Sequence, residues 1–386
     1  MVNLSVEFAG VEFKNPILVA PGTLTDNVRS VVKAVKSGAG GVVAKSAVTD
    51  SLSIMRKWPR PRFKLLHWGR RKVGRVPESF TLYSIEQAYR GDIMRYAREL
   101  REMKKAVDVP VVGSFMAFGV DECVKSARII EESNVDMVEI NNACPHKVAD
   151  TGSSDEEIVK AVSQSVSIPV TVKLSPQSTD LTRQAKALER AGASGITMMS
   201  RFTGLEIDIE QEKPILHGSY AGFGGPWLRF LGLAWVSKIA PVISIPISAS
   251  GGVMGWEDAV KYIMVGATTV QVCTSTLMKG YEVIGQFVKG MEGFMEEKGY
   301  DNVGSLKGRT LRNILPLDEF EREPPVYAAV DESKCLGPTC SECAKHCFYD
   351  AIEVESVAKI DLGRCDGCGL CSEFCPTFAI SMERSG

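Results

Sequence analysis

Eight cysteines crowd the last 52 residues in two runs, Cys335, Cys340, Cys343 and Cys347, then Cys365, Cys368, Cys371 and Cys375. The second run reads CDGCGLCSEFCP. Thiolates this dense, closed by a proline, have the spacing that holds iron and sulfide. A chain that carries them handles electrons one at a time.

The run is the C-x2-C-x2-C-x3-C-P pattern of a bacterial two-cluster ferredoxin, in which the fourth cysteine ligates the other cluster. That exchange assigns Cys335, Cys340, Cys343 and Cys375 to one [4Fe-4S] cluster. It assigns Cys365, Cys368, Cys371 and Cys347 to the other. The first run departs from the pattern, because four residues rather than two separate Cys335 from Cys340. Either a bulged loop absorbs the extra two, or Cys335 is not a ligand and the first cluster has three irons. A disulfide framework does not suit a chain that otherwise reads as an intracellular enzyme. Zinc suits any single CxxC pair but does not explain eight cysteines ending in Cys-Pro.

The 386 residues predict two domains, one of them large. Residues 326–386 hold five Lys/Arg against ten Asp/Glu, and the remainder forty against thirty-seven. An acidic iron–sulfur module on a mildly basic body is not a nucleic-acid signature. No apolar run has the length of a membrane span, and Met1–Gly10 lacks the design of a signal peptide. The expectation is a cytoplasmic protein, which suits oxygen-sensitive clusters.

Eight short runs rich in Val and Ile recur along residues 1–310: 16–20, 41–46, 109–115, 137–142, 168–175, 195–200, 245–251 and 268–274. They read as buried parallel strands. Amphipathic segments lie between them, among them 92–107, 121–133, 155–167, 181–191 and 256–265. Eight strands alternating with helices predict an α/β fold, a (β/α)8 TIM barrel over residues 1–312. A hairpin over 4–14 is expected to plug its bottom. Residues 313–325, with three prolines and four acidic residues after Leu315, read as a linker. Residues 326–386 then form a small α+β ferredoxin-like domain.

Active sites of such barrels lie at the C-terminal ends of the strands. Strand two ends in Lys45-Ser46, strand four in Asn141-Asn142-Ala143-Cys144-Pro145-His146, strand five in Lys173-Leu174-Ser175-Pro176. Strand seven ends in Ser250-Gly251-Gly252 and strand eight in Cys273-Thr274. Two lysines aimed into one mouth need an anionic partner. The Gly-Gly after strand seven offers backbone N–H groups where phosphates commonly bind in this fold.

These segments resemble the dihydroorotate and dihydropyrimidine dehydrogenase family of FMN barrels. Val138–His146 is similar to its E-(L/I)-N-x-x-C-P-(N/H) motif, Val172–Pro176 to V-K-L-(S/T)-P, and Phe223–Pro226 and Ala249–Val253 to its phosphate-loop segments. A barrel fused to a two-cluster tail is the arrangement of dihydropyrimidine dehydrogenase and its bacterial catalytic subunit. The resemblance implies FMN across the mouth. Ala20 and Gly22 would touch it by backbone, Lys45 and Ser46 at ring or ribityl, and Lys173 at the N1–C2=O edge. Gly225, Gly251, Gly252, Cys273 and Thr274 would cradle the phosphate. A lysine at N1 stabilises the anionic reduced flavin.

It further implies hydride exchange at flavin N5 with Cys144 as acid–base residue on the substrate's other side. Asn141 would bind flavin or substrate, and His146 would bind substrate or serve as an alternate proton donor. His67, His217 and His346 have no motif around them. Cys123 reads as core.

The pyrimidine enzymes hold their ring with several asparagines, and here only Asn141 is retained. Ser79–Ser84 and Ser200-Arg201 stand where the others are expected. Amide side chains supply paired donors and acceptors, whereas a guanidinium suits a carboxylate. The expected substrate is therefore a flat ring or unsaturated acid bearing a carboxylate, held by Ser79, Ser200 and Arg201. Residues 56–75 hold nine Lys/Arg with Trp58 and Trp68 and no acidic residue, and should overhang the site, either as a solvated basic loop or dimer contact with the acidic cluster module, or as a clamp for a phosphorylated or polyanionic substrate. With no G-x-G-x-x-G in the right context for NAD, electrons are expected to pass to ferredoxin or a separate NAD(P)H-flavin subunit, within a homodimer or hetero-oligomer. Dihydropyrimidine or dihydroorotate dehydrogenase proper, or a relay subunit without its own substrate, are the alternatives.

Overall fold

The computed structural model describes residues 2–49, 53, 56, 62–66, 76, 79–86, 88–141, 153–216, 220–319 and 326–384. The chain divides into two compact units, Met1–Asn313 and Ile314–Gly386.

In the first unit eight parallel strands close into a barrel: β1 Ile17–Val19, β2 Gly41–Val43, β3 Val111–Met116, β4 Met137–Ile140, β5 Val170–Lys173, β6 Gly195–Met198, β7 Ile247–Ser250 and β8 Thr269–Val272. Each pairs with its sequence neighbour, and Val270 opposite Ile17 joins β8 to β1. Their buried, β-branched runs leave no solvent face, as expected for strands covered by helices outside and side chains inside. All eight anticipated strands are present.

The outer ring consists of α1 Val28–Lys36, α2 Ile93–Ala106, α3 Val120–Glu131, α4 Asp155–Ser163, α5 Leu181–Arg190, α6 Leu228–Ile239, α7 Trp256–Met264 and α8 Val283–Lys298. Several start on a side-chain cap. Asn27 accepts from Ser30 N, Asp92 from Arg95 N and Asp180 from Arg183 N, while Ser154 and Glu157 form a capping box. Such caps fix where each loop ends, and hence where the mouth residues stand.

The hairpin of Val6–Phe8 and Val11–Phe13 closes the bottom. Phe8 and Phe13 are buried with Leu18, Val43, Val112 and Met137. At the opposite end lies a four-stranded antiparallel sheet that the periodicity did not reveal, in the order Phe202–Gly204, Ala221–Gly224, Thr81–Ile85, Arg62–Leu66. Part of the basic segment 56–75 is thus an edge strand of this sheet, and Arg56 donates to Val48 O at 2.6 Å; the remainder lies outside the described residues.

The second unit is built from two antiparallel pairs, Val326–Val330 with Ile380–Arg384 and Ile352–Val354 with Ala358–Ile360. Its buried core is Ala328, Cys343, Ile352, Ala358, Cys371 and Ile380. Two of those six are cysteines, so the sulfur sites and the core are one structure. Among the described residues no helix is long and apolar enough to cross a membrane.

Candidate active site

A cleft opens across the C-terminal ends of the barrel strands. Ala20 and Gly22 reach it from β1, Lys45 and Ser46 from β2, Asn141 from β4, and Lys173 from β5. Ser200 and Arg201 follow from β6, Gly251 and Gly252 from β7, and Cys273 and Thr274 from β8. Gly225 joins them ahead of α6. The strand Thr81–Ile85 contributes by its two-residue period, which turns Leu82 and Ser84, and then Glu86, toward the cleft. Ser79 lies before that strand, is exposed, and is not among the lining residues, whereas Ser84 of the same segment is. Asn142, Cys144 and His146 lie outside the described residues.

The two lysines find carboxylates that the sequence did not announce. Lys173 Nζ lies 3.7 Å from Glu139 Oε1 and donates to Gln271 Oε1 at 3.2 Å. Glu139 is buried inside the barrel, where it accepts from Thr197 Oγ1 at 2.8 Å and Ser114 Oγ at 3.3 Å. A buried charge needs this saturation, since its desolvation is repaid only by close partners. The network runs upward: Ser114 Oγ is 2.7 Å from Ser46 Oγ, which accepts from Asn141 Nδ2 at 2.9 Å. Asn141 Oδ1 is buried and has no partner among the described residues.

Lys45 Nζ lies 3.9 Å from Glu86 Oε2. The same carboxylate accepts from Thr23 Oγ1 at 3.0 Å, and its Oε1 stands 3.6 Å from Arg201 Nη1. Burial alone would raise Glu86, but Arg201, Lys45 and the Thr23 hydrogen bonds outweigh it and hold the carboxyl below the usual carboxylate value. Arg201 Nη1 donates to Ser84 Oγ. Its guanidinium passes close to Gly222, where a Cβ would come within 2.8 Å of Cζ. Burial, aided by Glu86, pushes the Cys273 thiol up to about 12. Cys273 lines the cleft at the end of β8.

The far end of the cleft is backbone. Gly251 and Gly252 have φ of +105° and +72°, and a Cβ on Gly252 would lie 2.3 Å from Arg229 N. A Cβ on Gly225 would lie 2.2 Å from Phe80 O. The loop is pinned by Tyr262 Oη donating to Gly251 O at 2.7 Å and by Asp258, which accepts from Met254 N at 2.9 Å. A glycine-walled end, two lysines lining the cleft and an unsatisfied amide oxygen fit FMN. The glycines suit a phosphate, the lysines an electron-rich ring edge, and the Asn141 oxygen an N–H donor.

In the second unit Cys335, Cys340, Cys343 and Cys375 line one small cavity. Cys347, Cys365, Cys368 and Cys371 line another. The extra residues between Cys335 and Cys340 form a 3-10 turn, Gly337–Thr339. It passes so close to Ser356 that a Cβ on Gly337 (φ +58°) would lie 2.2 Å from Ser356 O. Cys335 Sγ accepts from Gly337 N and Ala358 N at 3.4 Å, and Cys375 Sγ from Ala379 N at 3.2 Å. Such bonds are made to sulfurs carrying negative charge.

The profile of the dihydroorotate dehydrogenase family matches residues 3–295, most of the chain. The chain belongs to that family. A 4Fe-4S binding domain matches residues 358–381. The chain is 27% identical over 406 residues to the NAD-dependent dihydropyrimidine dehydrogenase subunit PreA of Escherichia coli strain K12, covering 98% of this chain and 95% of the relative. It is 28% identical over 313 residues to the dihydroorotate dehydrogenase B (NAD(+)) catalytic subunit of Pyrococcus furiosus, covering 80% and 98%. The corresponding subunit of Thermoplasma acidophilum is 29% identical over 318 residues, covering 81% and 100%. As a member of this family with an iron–sulfur domain, the protein is a flavin-dependent oxidoreductase acting on CH–CH bonds.

The sequence missed Glu86, Ser84 and Gly222 as parts of one constellation. The alternation of Leu82, Ser84 and Glu86 was the available signal, but a five-residue strand lying across a barrel is hard to tell from a loop. Glu139 was quoted within its motif without a role.

Proposed function

We propose that the protein interconverts the CH–CH and C=C forms of a flat ring or unsaturated acid bearing a carboxylate, with electrons passing through two [4Fe-4S] clusters in the C-terminal unit. Bound FMN supplies the two-electron exchange with carbon and its link to one-electron carriers. The chain's residues do the rest. Lys45 and Lys173 offset negative charge on the cofactor, and Gly225, Gly251, Gly252 and Thr274 receive its phosphate by backbone. Asn141 presents its free oxygen to an N–H of cofactor or substrate. Ser200 and Arg201 hold the substrate. Cys144 gives a proton to, or takes one from, the substrate carbon on the side away from the cofactor, with His146 close in sequence as a binding group or second donor.

One observation carries the choice of substrate. Arg201 lines the cleft, held by Ser84 and passing close to Gly222, where the resemblance to the pyrimidine enzymes leads one to expect amides. A guanidinium offers donors only, which a carboxylate matches and a neutral diamide does not. The two cysteine-lined cavities support two clusters with the fourth cysteine of each run exchanged. The similarity to chains described as a "subunit" and a "catalytic subunit" supports a separate electron-transfer partner, a ferredoxin or an NAD(P)H-flavin subunit, in a hetero-oligomer or homodimer. It also favours a second reading, dihydropyrimidine or dihydroorotate dehydrogenase proper. Oxygen-sensitive clusters suit the cytoplasm.

The test compares wild type and Arg201→Ala on uracil and on carboxylated rings. Loss of a charge-assisted pair costs about 1.5–3 kcal/mol, so kcat/KM for the carboxylated ring should fall about 10–150-fold in the variant. Wild-type preference for uracil, with no effect of Arg201→Ala on a carboxylated ring, would contradict the assignment.

A further inference from the structure

We propose that the two clusters of the C-terminal unit are poised unequally, and that the one held by Cys335, Cys340, Cys343 and Cys375 is the easier to reduce. The ordering rests on the two-cluster reading above and extends it to the residues that separate the two potentials.

Each cavity presents four cysteines, but the surroundings of the sulfurs differ. In the first, Cys335 Sγ accepts from Gly337 N and Ala358 N at 3.4 Å, and Cys375 Sγ from Ala379 N at 3.2 Å. Thr377 Oγ1 stands 3.7 Å from Cys375 Sγ, and toward an iron-bound thiolate only the hydroxyl can donate. In the second, the single N–H···S hydrogen bond among the described residues runs from Ala351 N to Cys347 Sγ at 3.3 Å. Ala351 and Ala379 each stand four residues after their cysteine, so that bond is common to both cavities. The surplus in the first is therefore two N–H groups on Cys335 and a hydroxyl at Cys375.

The residues that break the usual spacing help to supply the surplus on Cys335. They form the turn Gly337–Thr339, whose first residue donates. Gly337 packs so tightly on Ser356 that a Cβ would lie 2.2 Å from its carbonyl oxygen, and Ser356 leads through Val357 into Ala358, the second donor. Turn and strand thus converge on one sulfur.

Charge acts in the same direction. Among the described residues no Asp, Glu, His, Lys or Arg lines the first cavity, whereas Asp366 and His346 line the second. His346 has Glu342 3.7 Å away, which offsets any charge on its ring. Reduction adds an electron to a cluster; donors aimed at sulfur stabilise it and a nearby carboxylate opposes it. Cys368, the exposed cysteine of the eight, works against this ordering, because water also favours the reduced form. It affects one sulfur, against three surplus donors and a carboxylate, and narrows the gap without reversing it. An electron taken from a one-electron donor therefore settles first on the Cys335 cluster, and the next on the cluster that includes Cys368.

The experiment is a redox titration of anaerobically purified full-length protein, followed by paramagnetic resonance. Iron is counted first: about four atoms per chain end the two-cluster reading, whereas about eight leave only the ordering at stake. Wild type should show two waves at least tenfold apart in reduction equilibrium, about 59 mV for a one-electron couple. Thr377→Val should lower the upper wave and leave the lower in place. Asp366→Asn should raise the lower wave and leave the upper in place. Ala358→Pro removes an N–H and should lower the upper wave further than Thr377→Val does, while Ala358→Ser, which keeps the N–H, should not move it. A merely structural role for these residues would change iron content or stability, not one potential selectively. The proposal is overturned if wild type shows a single wave, if Thr377→Val or Asp366→Asn moves the other wave, or if neither moves any. Should Ala358→Pro lose iron, those two variants decide alone.

Discussion

Cys144→Ala is expected to lower substrate turnover by about 10²–10⁴-fold, the usual contribution of a positioned acid–base group, while the flavin content of the purified protein stays that of wild type. The reasoning is chemical. Saturating or desaturating a C–C bond beside a carbonyl moves a hydride at one carbon and a proton at the other. The bound cofactor occupies one face of a flat substrate, so the proton must come from the opposite face. Cys144 follows β4 in the segment that matches the family's motif, and a thiol with an ordinary pKa near ~8.5 can give and take a proton near neutrality. Rapid-mixing measurements separate the steps: in the variant, reduction of the flavin through the iron–sulfur route should be unimpaired and only its exchange with substrate lost. Turnover within threefold of wild type would show that Cys144 is not the proton donor and would move that role to His146.

Gly252→Val should abolish FMN retention. Gly252 holds φ +72°, a conformation that a β-branched residue adopts only with strain, and its Cβ would lie 2.3 Å from Arg229 N and 2.8 Å from Pro226 O. Those atoms are backbone and cannot step aside as a side chain could. Either the loop after β7 shifts away from α6, or α6 shifts with it, and both moves open the glycine-walled end of the cleft. The protein should emerge nearly colourless, with its iron content intact. Gly10→Ala is the control, since Gly10 also has positive φ (+81°) but a Cβ there meets nothing within 4 Å. It should retain flavin. A yellow Gly252→Val protein with unaltered flavin affinity would remove the phosphate from this end of the cleft.

The strands and most of the helix ring were legible because both rest on periodicity. Buried parallel strands such as Val170–Lys173 are continuous β-branched runs, and α2, α4 and α5 announce themselves by amphipathic spacing and capping residues. The strand-end rule then placed Lys45, Asn141, Lys173, Gly251 and Thr274 at one mouth, and all five line it. What stayed hidden depends on chain segments that meet only in three dimensions. Glu86 is 41 residues from Lys45 in sequence and 115 from Arg201, and no local pattern joins them. The antiparallel sheet that carries Ser84 and Gly222 is built of strands of three to five residues, one of them the glycine-rich Ala221–Gly224, too short for a two-residue period to stand out. The two lysines were read as requiring an anion. Its first instalment turned out to be the protein's own, in Glu86 and Glu139, because a buried ammonium group must be paired even before a ligand arrives.

The most direct test is purification under strict exclusion of oxygen, followed by flavin and iron analysis of the same sample. The account predicts yellow-brown protein with about one FMN and about eight iron atoms per chain, the iron divided between two clusters by paramagnetic resonance after reduction. Protein that is folded yet binds no FMN, even when it is supplied in excess, would contradict it.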